Sequence, residues 1–167
     1  QSLAIKDNLT GLYNTRYLYQ ALAKIFDASK NQDSHFSLIF MDLDNFKKVV
    51  DAYGHLNGSQ AIQEVAASIK DSLREPEFGV SYGGDEFVIV LPGYNKELGL
   101  KKAEELRSLM NKTVYLSNKG INVHISASFG VAAYPEDATN LTRLLSVADK
   151  AMFQIKDRGK NAVGSLF

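Results

Sequence analysis

The sequence contains no cysteine. Disulfides and thiolate-bound metals are therefore excluded, and a reducing, cytoplasmic compartment fits. Neither charge is in excess: 19 basic residues balance 19 acidic ones. Without an overall basic field, broad attraction to nucleic acid or to a membrane surface is not expected, and any polyphosphate site must be local. No apolar run approaches the roughly 18 residues that a membrane span needs, and no signal-peptide pattern is read. Repeats, low-complexity tracts and linkers are also missing. What remains is a chain of 167 residues, 45% hydrophobic and 23% charged. That is enough for one domain, residues 1–167, with a proper core. The opening QSLAIKD reads as the tail of a helix, as expected of a catalytic module preceded by a regulatory part.

Leu18, Ala21, Leu22, Ile25 and Phe26 recur at helical spacing and predict a helix over Thr15 to Ala28. FSLIFM reads as a short buried strand, with Asp42 and Asp44 at its end. Phe46, Val49 and Val50 predict a short helix closed by Gly54, and HLNGS a turn. Ile62, Val65, Ala66, Ile69 and Leu73 mark a stronger helix, ended by Pro76. FGVSY and EFVIVL flank Gly83-Gly84-Asp85 as a hairpin. A helix follows through Leu98, Ala103, Leu106, Leu109 and Met110. Apolar residues then alternate from Ile121 to Val131, predicting a half-buried strand. Leu141, Leu144, Leu145, Ala148, Met152 and Ile155 define the last helix. The order argues for an α+β fold with a mainly antiparallel sheet covered by helices.

The stretch SYGGDEFVIVLPG puts two carboxylates at a glycine turn, at the mouth of an apolar strand. Crowded carboxylates repel and are costly to desolvate, and a metal ion would offset that cost. If the strand ending at Asp42 neighbours the hairpin, Asp42 and Asp85 reach one sheet edge. Two such acids can hold Mg²⁺ and leave positions for phosphate. Spacing alone leaves another reading open: Asp42 as a helix N-cap and GGD as an ordinary turn.

Gly83-Gly84-Asp85-Glu86-Phe87 resembles the signature of GGDEF domains. DNLTGLYN (residues 7–14), MDLDNFKKVVDAYGHLNGS (41–59), ISASFGVA (125–132) and ADKAMFQIKDRGKN (148–161) resemble the family's other motifs, in the right order. The resemblance implies a five-stranded sheet flanked by helices, like nucleotidyl cyclases and polymerase palms. It implies condensation of two nucleoside triphosphates into a cyclic dinucleotide by an antiparallel homodimer. By position, Asp42, Asp85 and the Leu43 carbonyl would bind a pair of Mg²⁺ ions, with Mn²⁺ as a substitute. Glu86 would lie at the reacting 3′-hydroxyl or the second metal. Lys47 and Lys156 would neutralise phosphates beside the amides of Asn45 and Phe46. Lys160 stands where the family commonly has arginine, keeping the charge without the bidentate fork.

The sequence departs from the family in the base pocket. Val50 replaces an asparagine and Ser59 an aspartate, in a segment that keeps His55. An aspartate would accept hydrogen bonds from guanine N1–H and the 2-amino group. Serine can donate or accept, and valine offers no polar atom. Selectivity for guanine should relax. The serine resembles the hybrid promiscuous (Hypr) subgroup, which implies GTP and ATP as substrates. The expected product is chiefly cyclic GMP-AMP, with cyclic di-GMP and some cyclic di-AMP. The alternatives are an ordinary diguanylate cyclase and a non-catalytic nucleotide-binding or interaction module. Ser59 reads equally as the N-cap of the helix after it. The inhibitory motif R-x-x-D is degenerate: Arg74 is kept, Glu77 ends the motif, and Ser81 replaces a further arginine. Product inhibition should be weak.

Overall fold

The computed structural model describes residues 4–166, apart from the side chain of Gln32. In chain order the elements are α1 (Thr15–Gln32), β1 (Phe36–Leu43), α2 (Phe46–Asp71), β2 (Phe78–Ser81), β3 (Glu86–Pro92), α3 (Lys96–Lys112), β4 (Ala127–Tyr134), α4 (Leu141–Asp157) and β5 (Val163–Ser165). Asparagine begins α1, α3 and α4. Asn14, Asn95 and Asn140 each accept a hydrogen bond from a first-turn N–H, filling one of the orphan donors at a helix start.

The five strands lie in the order β2-β3-β1-β4-β5. All neighbours are antiparallel except β4 and β5, which run parallel. The expected mainly antiparallel α+β architecture is therefore present. β1 lies at the centre and is apolar on both faces. Ile39, Met41 and Leu43 enter the core shared with α2 and α3. Leu38 and Phe40 enter the opposite core, shared with α1 and α4. That pattern makes FSLIFM a continuous apolar run, as a strand covered on both faces requires. Among the described residues, no helix is long and apolar enough to cross a membrane.

Three expectations are corrected. HLNGS is helical: α2 runs on through it, with one non-helical residue, Gly54, at φ 86° and ψ 168°. A left-handed φ suits glycine, so the chain breaks direction at one residue and resumes the helix at once. The alternating strand begins at Ala127, not at Ile121, and every residue of β4 is buried. Gly130 lies directly under α4, where a Cβ would collide with the Ala148 carbonyl and the Met152 N–H. Val123 instead bridges to Tyr115. For QSLAIKD, residues 1–3 lie outside the described residues, and Ala4–Asp7 is not helical, Lys6 bridging to Tyr13.

Candidate active site at the end of the central strand

Asp42 is the penultimate residue of β1, and the register sets it opposite Glu86 on β3 and Ser128 on β4. The alternation that turns Met41 and Leu43 into one core turns Asp42 to the face covered by α4. The Leu43 N–H donates to the Asp85 carbonyl at 3.0 Å, fastening the hairpin turn to the end of β1. Asp42 and Asp85 thus reach one sheet edge, as the sequence suggested, and the register sets Glu86 beside them. Within the turn, Tyr82 and Gly83 N–H groups donate to the Glu86 carbonyl at 2.9 and 3.2 Å. Neither turn glycine has a left-handed φ. Gly83 lies under the Glu86 side chain: a Cβ there would stand 2.7 Å from Glu86 Oε1 and would turn that carboxylate aside.

The electrostatics are unfavourable for a bare carboxylate. Burial pushes the Asp42 carboxyl up to about 6 against the pull of Lys156, and Asp85, Glu86 and Asp44 add to the rise. Burial also raises Glu86, helped by Asp85 and by Asp149 of α4. Asp42 Oδ1 is buried and has no hydrogen-bond partner. A donorless carboxylate oxygen ringed by further acids fits a divalent cation. Among the described residues, no three His, Asp or Glu side chains form a ready-made cage. Mg²⁺ is commonly held by one or two carboxylates plus substrate phosphates.

Lys156 does not point into open space. From α4 its ammonium donates to the Leu43 carbonyl (2.9 Å), the Asp42 carbonyl (3.3 Å) and Asp44 Oδ1 (2.8 Å), and lies 3.7 Å from Asp42 Oδ2. Lys160 Nζ donates to Asn45 Oδ1 at 2.7 Å. Asn45 is left-handed (φ 55°) and makes no side-chain cap bond to α2. Lys47 is exposed on the first turn of α2. Asp44, Ser126, Ser128 and Asn161 were not among the expected site residues. Asp44 is buried, and although burial raises its carboxyl, hydrogen bonds from Lys156, Ser128 and Ser126 outweigh this and hold it below its ordinary value.

The kinked start of α2 brings Val50 and Phe46 against the segment that carries Ser59. A Cβ on Gly58 would lie 2.9 Å from Val50 Cγ2 and 3.7 Å from Phe46 Cζ, so both side chains rest on the backbone just before Ser59. Val50 and Ser59 are half-buried and His55 is exposed. Ser59 lies inside α2, so it is not an N-cap, and Asp42 lies in a strand, so it is not one either. Arg74 and Glu77 belong elsewhere, on the connection between α2 and β2. Arg74 is exposed, and Glu77 accepts hydrogen bonds from the Arg74 N–H (3.2 Å) and the Tyr94 hydroxyl (2.7 Å).

A family model described as "Diguanylate cyclase, GGDEF domain" matches residues 4–162. The chain belongs to the GGDEF family. It is 38% identical over 159 residues to MucR of Pseudomonas aeruginosa, a bifunctional diguanylate cyclase/cyclic di-GMP phosphodiesterase, covering 95% of this chain and 23% of that protein. It is 32% identical over 157 residues to the diguanylate cyclase DosC of Escherichia coli, covering 94% of this chain and 34% of that protein. The chain thus spans about a quarter to a third of the length of these two relatives. The GGDEF domain of TpbB (YfiN) from P. aeruginosa superposes with a TM-score of 0.91 at 29% identity, covering 95% of this chain and 92% of that one. The GGDEF domain of DgcB from Caulobacter crescentus, solved with c-di-GMP, gives 0.88 at 27% identity, covering 98% and 96%.

Proposed function

We propose that this GGDEF domain is a diguanylate cyclase, condensing two GTP molecules into cyclic di-GMP. The observation that carries the reading is the meeting of Asp42, Asp85 and Glu86 at the end of β1, with Asp42 Oδ1 buried and lacking a donor. In each half-reaction a ribose 3′-oxygen bonds to the α-phosphorus of the other nucleotide, and pyrophosphate leaves. The hydroxyl proton passes to Glu86, whose burial among acids raises its affinity for a proton. Asp42, Asp85 and the Leu43 carbonyl would hold Mg²⁺. The ion would supply charge neutralisation at the phosphates and a lowered pKa for the attacking hydroxyl. The first turn of α2, with Lys47, offers N–H groups and a cation to the phosphates. Each domain holds one nucleotide, so an antiparallel homodimer is the active unit. A GTP substrate places the domain in the cytoplasm, and the longer relatives suit an attached regulatory part.

The names of the relatives favour cyclic di-GMP over the mixed product expected from Ser59. The specific observation favouring cyclic GMP-AMP is the apolar Val50 packed beside the Ser59 segment, where the family has two guanine-reading polar residues. One experiment separates the readings: equal GTP and ATP with Mg²⁺, followed by product identification, with a forced dimer as control. Cyclic di-GMP alone supports the first reading. Cyclic GMP-AMP as the chief product supports the second. Nucleotide binding without turnover in the forced dimer overturns both in favour of a binding module.

A further inference from the structure

Asp44 has no role in the chemistry set out above, yet it is the most heavily bonded side chain near the site. Its side chain is 1% exposed. Ser128 Oγ (2.7 Å) and Lys156 Nζ (2.8 Å) donate to Oδ1, and Ser126 Oγ (2.7 Å) and the Asn161 N–H (2.9 Å) donate to Oδ2. Each oxygen takes two donors, so the carboxylate is saturated. The donors come from β4, from the residue just before it, from α4 and from the turn after α4. On the other side, all three ammonium protons of Lys156 are used, on Asp44 Oδ1 and the carbonyls of residues 42 and 43.

The turn after α4 is held in the same way. Lys160 and Asn161 are both left-handed (φ 67° and 48°), a conformation that disfavours residues with a Cβ. The bond from Asn161 N–H to Asp44 fixes this turn against β1, and from it Lys160 reaches Asn45. A buried ion pair is a weak source of stability compared with apolar packing, but it fixes geometry well when fully hydrogen-bonded.

We propose that Asp44 is a positioning residue for the two cations at the phosphate site. It holds Lys156 at the exit of β1 directly, where the ammonium acts on phosphates by its charge and not by a hydrogen bond, and it holds the turn presenting Lys160 through the Asn161 amide. The proposal rests on the reading that these lysines serve nucleotide phosphates, so its test has one arm that needs no nucleotide. In the full chain, ¹⁵N-edited NMR should show a slowly exchanging Lys156 ammonium, assigned by its loss in Lys156→Met. Asp44→Asn should abolish that signal. The second arm is calorimetric GTP binding with Mg²⁺. Asp44→Asn should weaken it about tenfold, about 1.4 kcal/mol, and adding Asp44→Asn to Lys156→Met with Lys160→Met should weaken it no further. An unchanged ammonium signal, or a further loss when Asp44→Asn is added to the variant lacking both lysines, would overturn the proposal. Loss of the signal in a chain that binds no GTP would support the clamp and overturn the nucleotide reading. If Asp44→Asn does not fold, Ser128→Ala removes one donor from the same oxygen. It should weaken GTP binding about threefold, in line with one hydrogen bond. Wild-type affinity and an unaltered ammonium signal in that variant would count against the clamp.

Discussion

Asp42 on β1 and Glu86 on β3 stand directly opposite each other on one rung of the sheet, carboxylate beside carboxylate. Like charges at opposed positions destabilise a sheet. Here Asp85 adds a third acid, tied to β1 through the Leu43 N–H. An arrangement so unfavourable for folding makes sense as a binding site for positive charge.

Replacing either acid should therefore end turnover. Asp42→Ala and Asp85→Ala should each lower the rate of cyclic dinucleotide formation by about 10²–10³-fold or more, the scale of losing one electrostatic contact to a transition state. Asp42 is a strand residue and caps no helix, so circular dichroism should show an intact fold. Wild-type turnover in either folded variant would remove that residue from the site.

The raised Asp42 carboxyl makes a second, separable claim. Between its ordinary value near 4 and its folded value of about 6, the folded protein keeps a proton that the unfolded chain has released. Stability should fall as pH rises through that window, and the deficit should persist at neutral pH. A shift of about two units at about 1.4 kcal/mol each caps the effect near 3 kcal/mol, and partial exposure brings it to about 1–2 kcal/mol. Asp42→Asn should thus raise the Tm of metal-free protein at pH 7 by about 2–8 °C. Asp44, held below its ordinary value, contributes in the opposite direction, stabilising at neutral pH and losing that in acid. The difference between wild type and Asp42→Asn isolates Asp42. The measurement is thermal unfolding in chelator. An equal or lower Tm in the variant would mean that the carboxylate is not strained.

Much of this site was legible from sequence because its parts are local or tied to a strand end. Asp42, Asp85 and Glu86 needed only the inference that the FSLIFM strand neighbours the hairpin. The break in α2 was legible at Gly54, but His55 to Ser59 read as a turn because Gly, Asn and Ser resemble loop composition. A single residue at φ 86° does the work of that turn. The apolar alternation before Ala127 misled for another reason: Val123 and Ile125 are buried without belonging to the sheet. Asp44 could not be found by pattern. Its partners Ser126, Ser128, Lys156 and Asn161 lie 82 to 117 residues away and meet only after β1, β4 and α4 have packed.

Feedback by product should be weak. The carboxylate of Glu77 is already engaged by the Arg74 N–H and the Tyr94 hydroxyl, and its hydrogen bond pushes that phenol up to about 12. These two donors occupy one position on each carboxylate oxygen and orient the group within its own chain, and Ser81 offers no guanidinium to a ligand. Calorimetry with cyclic di-GMP should show weak binding or none at the Arg74 surface. Tight binding, lost in Arg74→Ala, would show that the altered motif still operates.

Base choice is the most informative test, because the two readings of the product differ there. Val50 and Phe46 pack on Gly58, next to Ser59, so an acid at position 59 would stand at a half-buried position beside an apolar wall. Ser59→Asp should accept up to two hydrogen bonds from guanine and repel adenine N1. A charge-assisted hydrogen bond contributes roughly 1.5–3 kcal/mol when fully made. Each 1.4 kcal/mol is about tenfold in selection. The GTP preference should therefore rise by about an order of magnitude wherever the wild type also accepts ATP. Val50→Asn with Ser59→Asp should raise it further, since the amide restores the second polar contact. The readout is the product ratio from equal GTP and ATP at matched conversion. A wild type that already makes only cyclic di-GMP would show that Val50 and Ser59 do not relax the pocket. A mixed ratio that neither variant moves would mean that Ser59 does not face the base.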